Sequence, residues 1–267
     1  MLKIDRSQSI SNLGASVSGI DISQDIKSED KELLKSLWCE CSVLIFPNQK
    51  LQHKDFERFS LIFGEFGEDP FIESIDNHPN IIEVKKEASE KASHFGGSWH
   101  SDWSFQQKPP SATLLHSKII PPVGGDTLFA SMYAAYDALS ERMKVYLEGL
   151  SATHSGEQIY RGRYKNDDTG VVYPLNIHPV VRTHPVTGKK SLYVNKTFTT
   201  HINELPREES DGVLRFLYDH CAKPDYQVRF KWQPHSIAFW DNRCVQHLAL
   251  WDYYPQVRSG YRVTVKG

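Results

Sequence analysis

The sequence predicts a mainly β fold with flanking helices, an antiparallel barrel or jelly roll carried on one chain of 267 residues. Three observations predict it. From residue 99 onward most regular stretches are short, apolar-alternating or β-branched runs bounded by Gly, Pro, Asn and Asp, which is the pattern of many short strands. The strict strand–helix alternation of a doubly wound parallel sheet is absent, as is a Gly-rich phosphate loop. The length suits one such domain, and a core of this size needs no disulfide framework.

The elements follow in order. Residues 10–23 read as short strands around Gly14 and Gly19. In "EDKELLKSLWCEC" (29–41), Leu33, Leu34, Leu37 and Cys41 recur at helical spacing. Val43–Phe46 then reads as a buried strand closed by Pro47-Asn48. A helix is expected over 53–63, with Phe56, Phe59 and Phe63 on one side and Gly64 past its end. Residues 65–98 mix Gly, Pro, Asp, Asn and Lys around one strand at 81–84. Mobile loops are expected near 66–97 and 155–175, placed to act as lids. A strand in "SATLLHSKIIPP" leads to a Gly124-Gly125 turn and a second strand in "DTLFAS". Ser131 and Ser140 are expected to cap helices ending near Leu139 and Leu150. Strands at 177–184 and 191–195 flank the turn "HPVTGKK". A helix covers 207–221, and four strands close the chain in "YQVRFKW", "HSIAFW", "CVQHLAL" and "GYRVTVK".

Composition narrows the function. The net charge of −2, with Lys and Arg scattered, gives no basic face for nucleic acid. No apolar run is long enough to span a membrane, and the N-terminus lacks the apolar core of a signal peptide. The protein is therefore expected to be cytoplasmic. Cys39, Cys41, Cys221 and Cys244 form no CxxC pair and read as reduced thiols.

The chemistry starts in "WHSDWSF" (99–105). On a strand, residues i and i+2 share a face, so His100 and Asp102 would point together. An imidazole and a carboxylate facing a barrel interior need a partner, and a divalent metal is one. His247, in "FWDNRCVQHLALWDY", is the third ligand that such a site requires. Two histidines and one carboxylate leave three octahedral positions open, the ligand set of non-haem Fe(II) oxygenases. In "YPQVRSGYRVTV", Arg258 and Arg262 share a face, with Gly260 between them leaving room for a ligand. Two fixed guanidinium groups beside a metal call for a dicarboxylate: one end on the metal, the other on Arg258, with the Thr127 hydroxyl assisting.

Taken alone, each feature has a plainer explanation: an incidental HxD, a core histidine, outward-facing arginines or a turn threonine. Their joint occurrence carries the functional reading. In this order, and together with "LGASVSGIDI", "VLIFPNQKL", "PPVGGDTLFASMYAAYDAL", "HPVVRTHPVTGKKSLYVNKTFTTHI" and "KPDYQVRFKWQPHSIAFWDNRCVQH", they make the chain resemble the taurine / 2-oxoglutarate dioxygenase family nearly end to end. The resemblance implies a double-stranded β-helix, a cupin-like jelly roll with flanking helices, over residues 1–267 as one domain. It implies an Fe(II)- and 2-oxoglutarate-dependent dioxygenase that uses O₂ to hydroxylate a small, anionic organic substrate (sulfonate, sulfate ester or carboxylate), releasing succinate and CO₂. His100, Asp102 and His247 match the iron ligands. Thr127 and Arg258 match the clamp on the distal carboxylate of 2-oxoglutarate. Arg262 matches the arginine near the metal-bound carboxylate and the substrate anion. Phe198 and Gly96 match substrate-pocket positions, and a homo-oligomer (dimer or tetramer) is expected.

The chain also departs from the taurine enzymes. It carries Asp69 and Ile72 where they place a histidine and a tyrosine, and Gly96 where they place an asparagine. These changes count against taurine itself. A desaturase or other oxidative outcome on the same site stays open, as does a non-catalytic metabolite-binding jelly roll. Asp102 argues against a halogenase, which needs the carboxylate position vacant.

Overall fold

Fifteen strands and six α-helices are found among residues 2–69, 71–90, 96–161 and 170–267, the residues that a computed structural model of the chain describes. In chain order they are β1 (Lys3–Asp5), β2 (Ala15–Ser18), α1 (Ser28–Cys41), β3 (Val43–Phe46), α2 (His53–Ser60), β4 (Ile82–Lys86) and β5 (Ala112–Ile119). There follow β6 (Thr127–Ser131), α3 (Met132–Asp137), α4 (Glu141–Leu147), β7 (Ser151–Ser155), α5 (Glu157–Tyr160), β8 (Leu175–Pro179), β9 (Val181–Thr183) and β10 (Lys190–Leu192). The chain closes with β11 (Thr199–Ile202), α6 (Arg207–Cys221), β12 (Gln227–Phe230), β13 (Ile237–Asp241), β14 (Val245–Ala249) and β15 (Arg258–Val265). The fold is mostly strand in several sheets, with helices on the outside.

The largest sheet has the order β1-β2-β3-β13-β5-β15-β4, antiparallel except for the β2–β3 pair. Its central strand β13 shows how one strand serves two layers. Ile237 and Phe239 join the cluster that contains Leu34, Leu37 and Trp38 of α1 and Phe56 and Phe59 of α2. Ala238 and Trp240 point the other way, into a cluster with Phe129 of β6 and Val245 of β14. Period-2 alternation thus places helices on one face and the smaller β12-β6-β14 sheet on the other. Because both faces are covered, "IAFWD" is buried throughout. Full burial of one such leucine or phenylalanine contributes about 1.5–3 kcal/mol.

Most expected elements form, with local differences. On α1, Trp38 is buried and Leu33 is 40% exposed, so the stripe is Leu34, Leu37, Trp38 and Cys41. The second helix stops at Ser60, and residues 61–63 continue as a turn. Ser131 and Ser140 do cap α3 and α4, their hydroxyls accepting the Ala134 and Met143 N–H groups at 3.2 Å each. Strands β7 and β11 carry no apolar alternation that would announce them. "SATHS" is nevertheless buried between β11 and β8, with Thr153 donating to Asn203 and His154 paired with Ser104. Of the two stretches read as mobile loops, residue 70 and residues 91–95 and 162–169 lie outside the described residues. All four cysteines are free thiols, and no helix among the described residues is long and apolar enough to cross a membrane.

Gly260 requires a correction. A Cβ at this position would lie 2.8 Å from the His116 carbonyl oxygen of β5. The missing side chain makes way for a neighbouring strand, not for a ligand. The Gly260→Ala variant is therefore expected to lose about 1–3 kcal/mol through forced separation of β15 from β5. A thermal melt several degrees below wild type checks this, at about 2–4 °C per kcal/mol for a chain of this size.

Candidate metal centre and binding cavity

His100 and His247 are neighbours because their backbones form an isolated antiparallel bridge. The His100 N–H donates to the His247 carbonyl at 3.1 Å, and the His247 N–H returns a bond at 2.8 Å. This mutual pairing sets the two imidazoles side by side, with centroids 4.1 Å apart. The strand does not continue to Asp102, contrary to the same-face expectation. Residues 102–105 form a turn, and Trp103 takes a left-handed φ of 47°. That turn brings the Asp102 carboxylate back toward the histidines: Oδ1 lies 3.5 Å from His100 Nε2 and 3.9 Å from His247 Nε2. The three side chains form a cluster able to hold one metal ion.

The supports of the triad come from distant chain. Thr113 donates to Asp102 Oδ2 at 2.7 Å, and Asn242 Nδ2 donates to the Thr113 oxygen at 2.8 Å. The Asp102 N–H reaches Asn242 Oδ1 at 3.4 Å, which also accepts from Trp240 Nε1 at 3.0 Å. His100 Nδ1 donates to the Ser98 carbonyl at 2.8 Å, which turns Nε2 toward the Asp102 carboxylate. Asp102 Oδ1 and His247 Nδ1 are buried without hydrogen-bond partners among the described residues. Burial alone would raise the Asp102 pKa, but His247, His100 and Arg262 overturn this and hold the carboxyl well below its usual range. Burial, followed by the influence of His100, pushes His247 down to about 3, so its imidazole is neutral at neutral pH. A carboxylate and a neutral His247 imidazole are protonation states a divalent metal needs.

A second cluster, His184, Asp241 and Cys244, also has ligand-type atoms close together. It is already saturated. Asp241 takes both Arg243 Nε and Nη2, at 2.8 and 2.6 Å, and accepts from His184 Nε2 at 3.0 Å. His184 Nδ1 accepts the Val186 and Thr187 amides, and Cys244 donates to Ser42. The cluster locks the β13–β14 turn that presents Asn242.

The triad opens onto a cavity of about 240 Å³. Its walls include every residue picked from the sequence: Thr127, Arg258, Arg262, Phe198 and Gly96, together with the triad. Thr127 accepts from Trp232 Nε1 at 2.9 Å, so its own proton is free for a ligand. The Arg258 guanidinium lies over the Trp232 ring at 5.4 Å, and its Nε is buried without a partner. Lys86, opposite Arg258 in register, lines the same region and is 3% exposed. Neither cation has a carboxylate within ion-pair distance among the described residues. Burial lowers the Arg258 pKa, opposed by Tyr253 and Asp126. Such a buried cation calls for an anionic partner. Phe198 is 2% exposed and stands 5.0 Å from Phe105 and 6.2 Å from the His100 ring, making it at once core and cavity wall. Gly96 accepts the Ala249 N–H at 2.7 Å, and its φ of 72° favours glycine, whereas a Cβ there would make only ordinary contact with Ala249 and His100, at 3.4 and 3.7 Å.

Sequence reading missed Trp232, Thr113, Asn242 and Lys86. The "FWDNR" turn was legible, but the hydrogen bond from Asn242 to Thr113 spans 129 residues. It also missed that Arg262 is paired: Nη2 donates to Asp69 Oδ2 at 2.6 Å, and its guanidinium covers the Trp103 ring at 4.5 Å. Burial works against the charge on Arg262, and Asp102 and Asp69 more than restore it.

The chain is similar to proteins of known class. It is 35% identical over 266 residues to an alpha-ketoglutarate-dependent sulfonate dioxygenase of Saccharomyces cerevisiae, covering 94% of this chain and 64% of that protein, so it spans about two thirds of that relative's length. It is 32% identical over 266 residues to an alkylsulfatase of Acinetobacter baylyi, covering 96% and 82%. The fold superimposes on the crystal structure of AAD-2 in complex with Mn(II) and N-oxalylglycine with a TM-score of 0.84 at 28% identity, covering 100% of this chain and 98% of that one. Residues 6–264 match the taurine catabolism dioxygenase TauD, TfdA family, and with the His-Asp-His cluster at the cavity floor the chain belongs to that family of alpha-ketoglutarate-dependent dioxygenases.

Proposed function

We propose that the chain binds Fe(II) through His100, Asp102 and His247 and hydroxylates a small organic anion of the sulfonate, sulfate ester or carboxylate kind. The carrying observation is convergence: the triad and a buried Arg258, with no carboxylate partner among the described residues, line one cavity. Bound there, the iron would supply the oxidising chemistry with O₂ that converts 2-oxoglutarate to succinate and CO₂ and hydroxylates a C–H bond.

The chain's own residues do the holding and shielding. Thr127 and Arg258 anchor the distal carboxylate of 2-oxoglutarate by a hydroxyl and a guanidinium already in place. Asp102 is fixed by Thr113 and Asn242, so the ligand cluster does not reorganise when a metal enters. Trp103, Tyr160 and Phe198 wall the substrate space and exclude water from it. Arg262 and the backbone of Gly96 face the substrate's polar end. AAD-2 supports this reading, since its structure contains a divalent metal and a dicarboxylate. So do the sulfur-oxyanion classes named for the yeast and Acinetobacter relatives. We infer that the two facing sheets constitute the expected double-stranded β-helix.

The test is succinate formed from 2-oxoglutarate with Fe(II) and O₂, across a panel of alkyl sulfonates, sulfate esters and aryloxyalkanoates. Substrate-stimulated succinate is expected for at least one class. No stimulation across the panel, with metal bound, would remove the anionic-substrate reading.

A further inference from the structure

Arg262 is not a free cation. Its partner Asp69 is 4% exposed in its side chain, and the two meet at 2.6 Å. Asp69 is itself fixed, because its other oxygen accepts the Phe71 and Ile72 N–H groups at 3.0 Å each. Trp103 covers one face of the guanidinium. Arg262 lines the cavity, whereas Asp69 is not among its lining residues. Arg262 Nε is buried without a hydrogen-bond partner.

The charges decide what this arrangement does. Asp69 neutralises Arg262, and Asp102 adds a second negative charge nearby. An incoming anion at Arg262 finds donors for hydrogen bonds but little net positive charge, and it is opposed by a carboxylate a few ångströms away. The geometry points to Asp69 as the residue that sets substrate charge selectivity by weakening anion binding at Arg262. This rests on the reading that Arg262 faces the substrate's anionic end. With the head group held weakly, affinity comes from the apolar walls Trp103, Tyr160, Phe198 and Ile159. The substrate class is then an oxyanion on a sizeable apolar body, not a short one such as taurine.

The Asp69→Asn variant tests this well, because the amide oxygen can still accept the Phe71 and Ile72 N–H groups while the negative charge that neutralises Arg262 is lost. Calorimetric titration of metal-free protein uses 1-hexanesulfonate and hexan-1-ol as probes. The variant is expected to bind the sulfonate at least about tenfold more tightly than wild type, since like charges about 6 Å apart at an effective dielectric near 20 repel by more than that factor requires. Hexan-1-ol affinity should stay within about twofold, and Asp69→Glu should keep wild-type selectivity. Unchanged or weaker sulfonate binding, or equal tightening of both probes, overturns the assignment. Should the variant fail to fold, protein that keeps Asp69 decides. It should bind hexanesulfonate less than about tenfold more tightly than hexan-1-ol once Arg258→Ala has removed the other guanidinium of the cavity, and a preference of a hundredfold or more in that background would show Arg262 acting as a free cation. The titration needs neither metal nor cosubstrate, so its failure leaves the succinate assay standing, and a failed succinate assay leaves the titration readable.

Discussion

Asp102→Ala is expected to cut substrate-coupled succinate formation at least about a thousandfold while leaving the protein folded. The loss follows from ligand count. Two imidazoles remain, held by the His100–His247 backbone bridge, but no anionic ligand completes the set. The fold should tolerate the change. Thr113 loses its acceptor, yet it keeps the Asn242 amide as a partner at 2.8 Å. The cost is then about that of one hydrogen bond to a charged group, roughly 1.5–3 kcal/mol, offset in part because a buried carboxylate no longer needs support. Succinate measured beside a thermal melt separates the two effects. Wild-type turnover in a folded variant would contradict the ligand assignment.

Arg258→Ala should raise the 2-oxoglutarate concentration for half-maximal rate by about 100-fold or more, with the rate at saturation changed far less. A fully desolvated guanidinium–carboxylate contact is worth about 2–5 kcal/mol when one partner is truncated. The ligand-free variant should melt no lower than wild type, because among the described residues the guanidinium removed has no carboxylate partner and its Nε is unsatisfied. That pairing of outcomes, weaker cosubstrate use without lost stability, is the signature of a binding residue rather than a structural one. An unchanged 2-oxoglutarate response would remove Arg258 from this role.

The amphipathic helices were the most legible parts of the fold. The boundaries of α6 follow directly from its spacing, and α1 differs only in exchanging Leu33 for Trp38 on its buried side. Strands β7 and β11 were not legible, because their polar residues are buried through tertiary partners that lie far off in sequence. At the site, the residues were identified on partly wrong geometry. His100 and Asp102 do converge, but through a turn at Trp103 and not along a strand. Gly260 answers to the His116 carbonyl, not to a ligand. Residue types and spacing can nominate ligands, since chemistry restricts which side chains serve. They cannot show that Asp69 neutralises Arg262 across 193 residues, because that contact exists only once β15 and the loop after α2 are packed together.

Anomalous diffraction from crystals loaded anaerobically with Fe(II) and 2-oxoglutarate addresses the central claim most directly. One metal is expected within about 2.0–2.3 Å of His100 Nε2, one Asp102 oxygen and one His247 nitrogen, with the distal carboxylate of 2-oxoglutarate on Arg258 and Thr127. Iron found instead at His184, Asp241 and Cys244, or 2-oxoglutarate bound away from Arg258, would contradict the account.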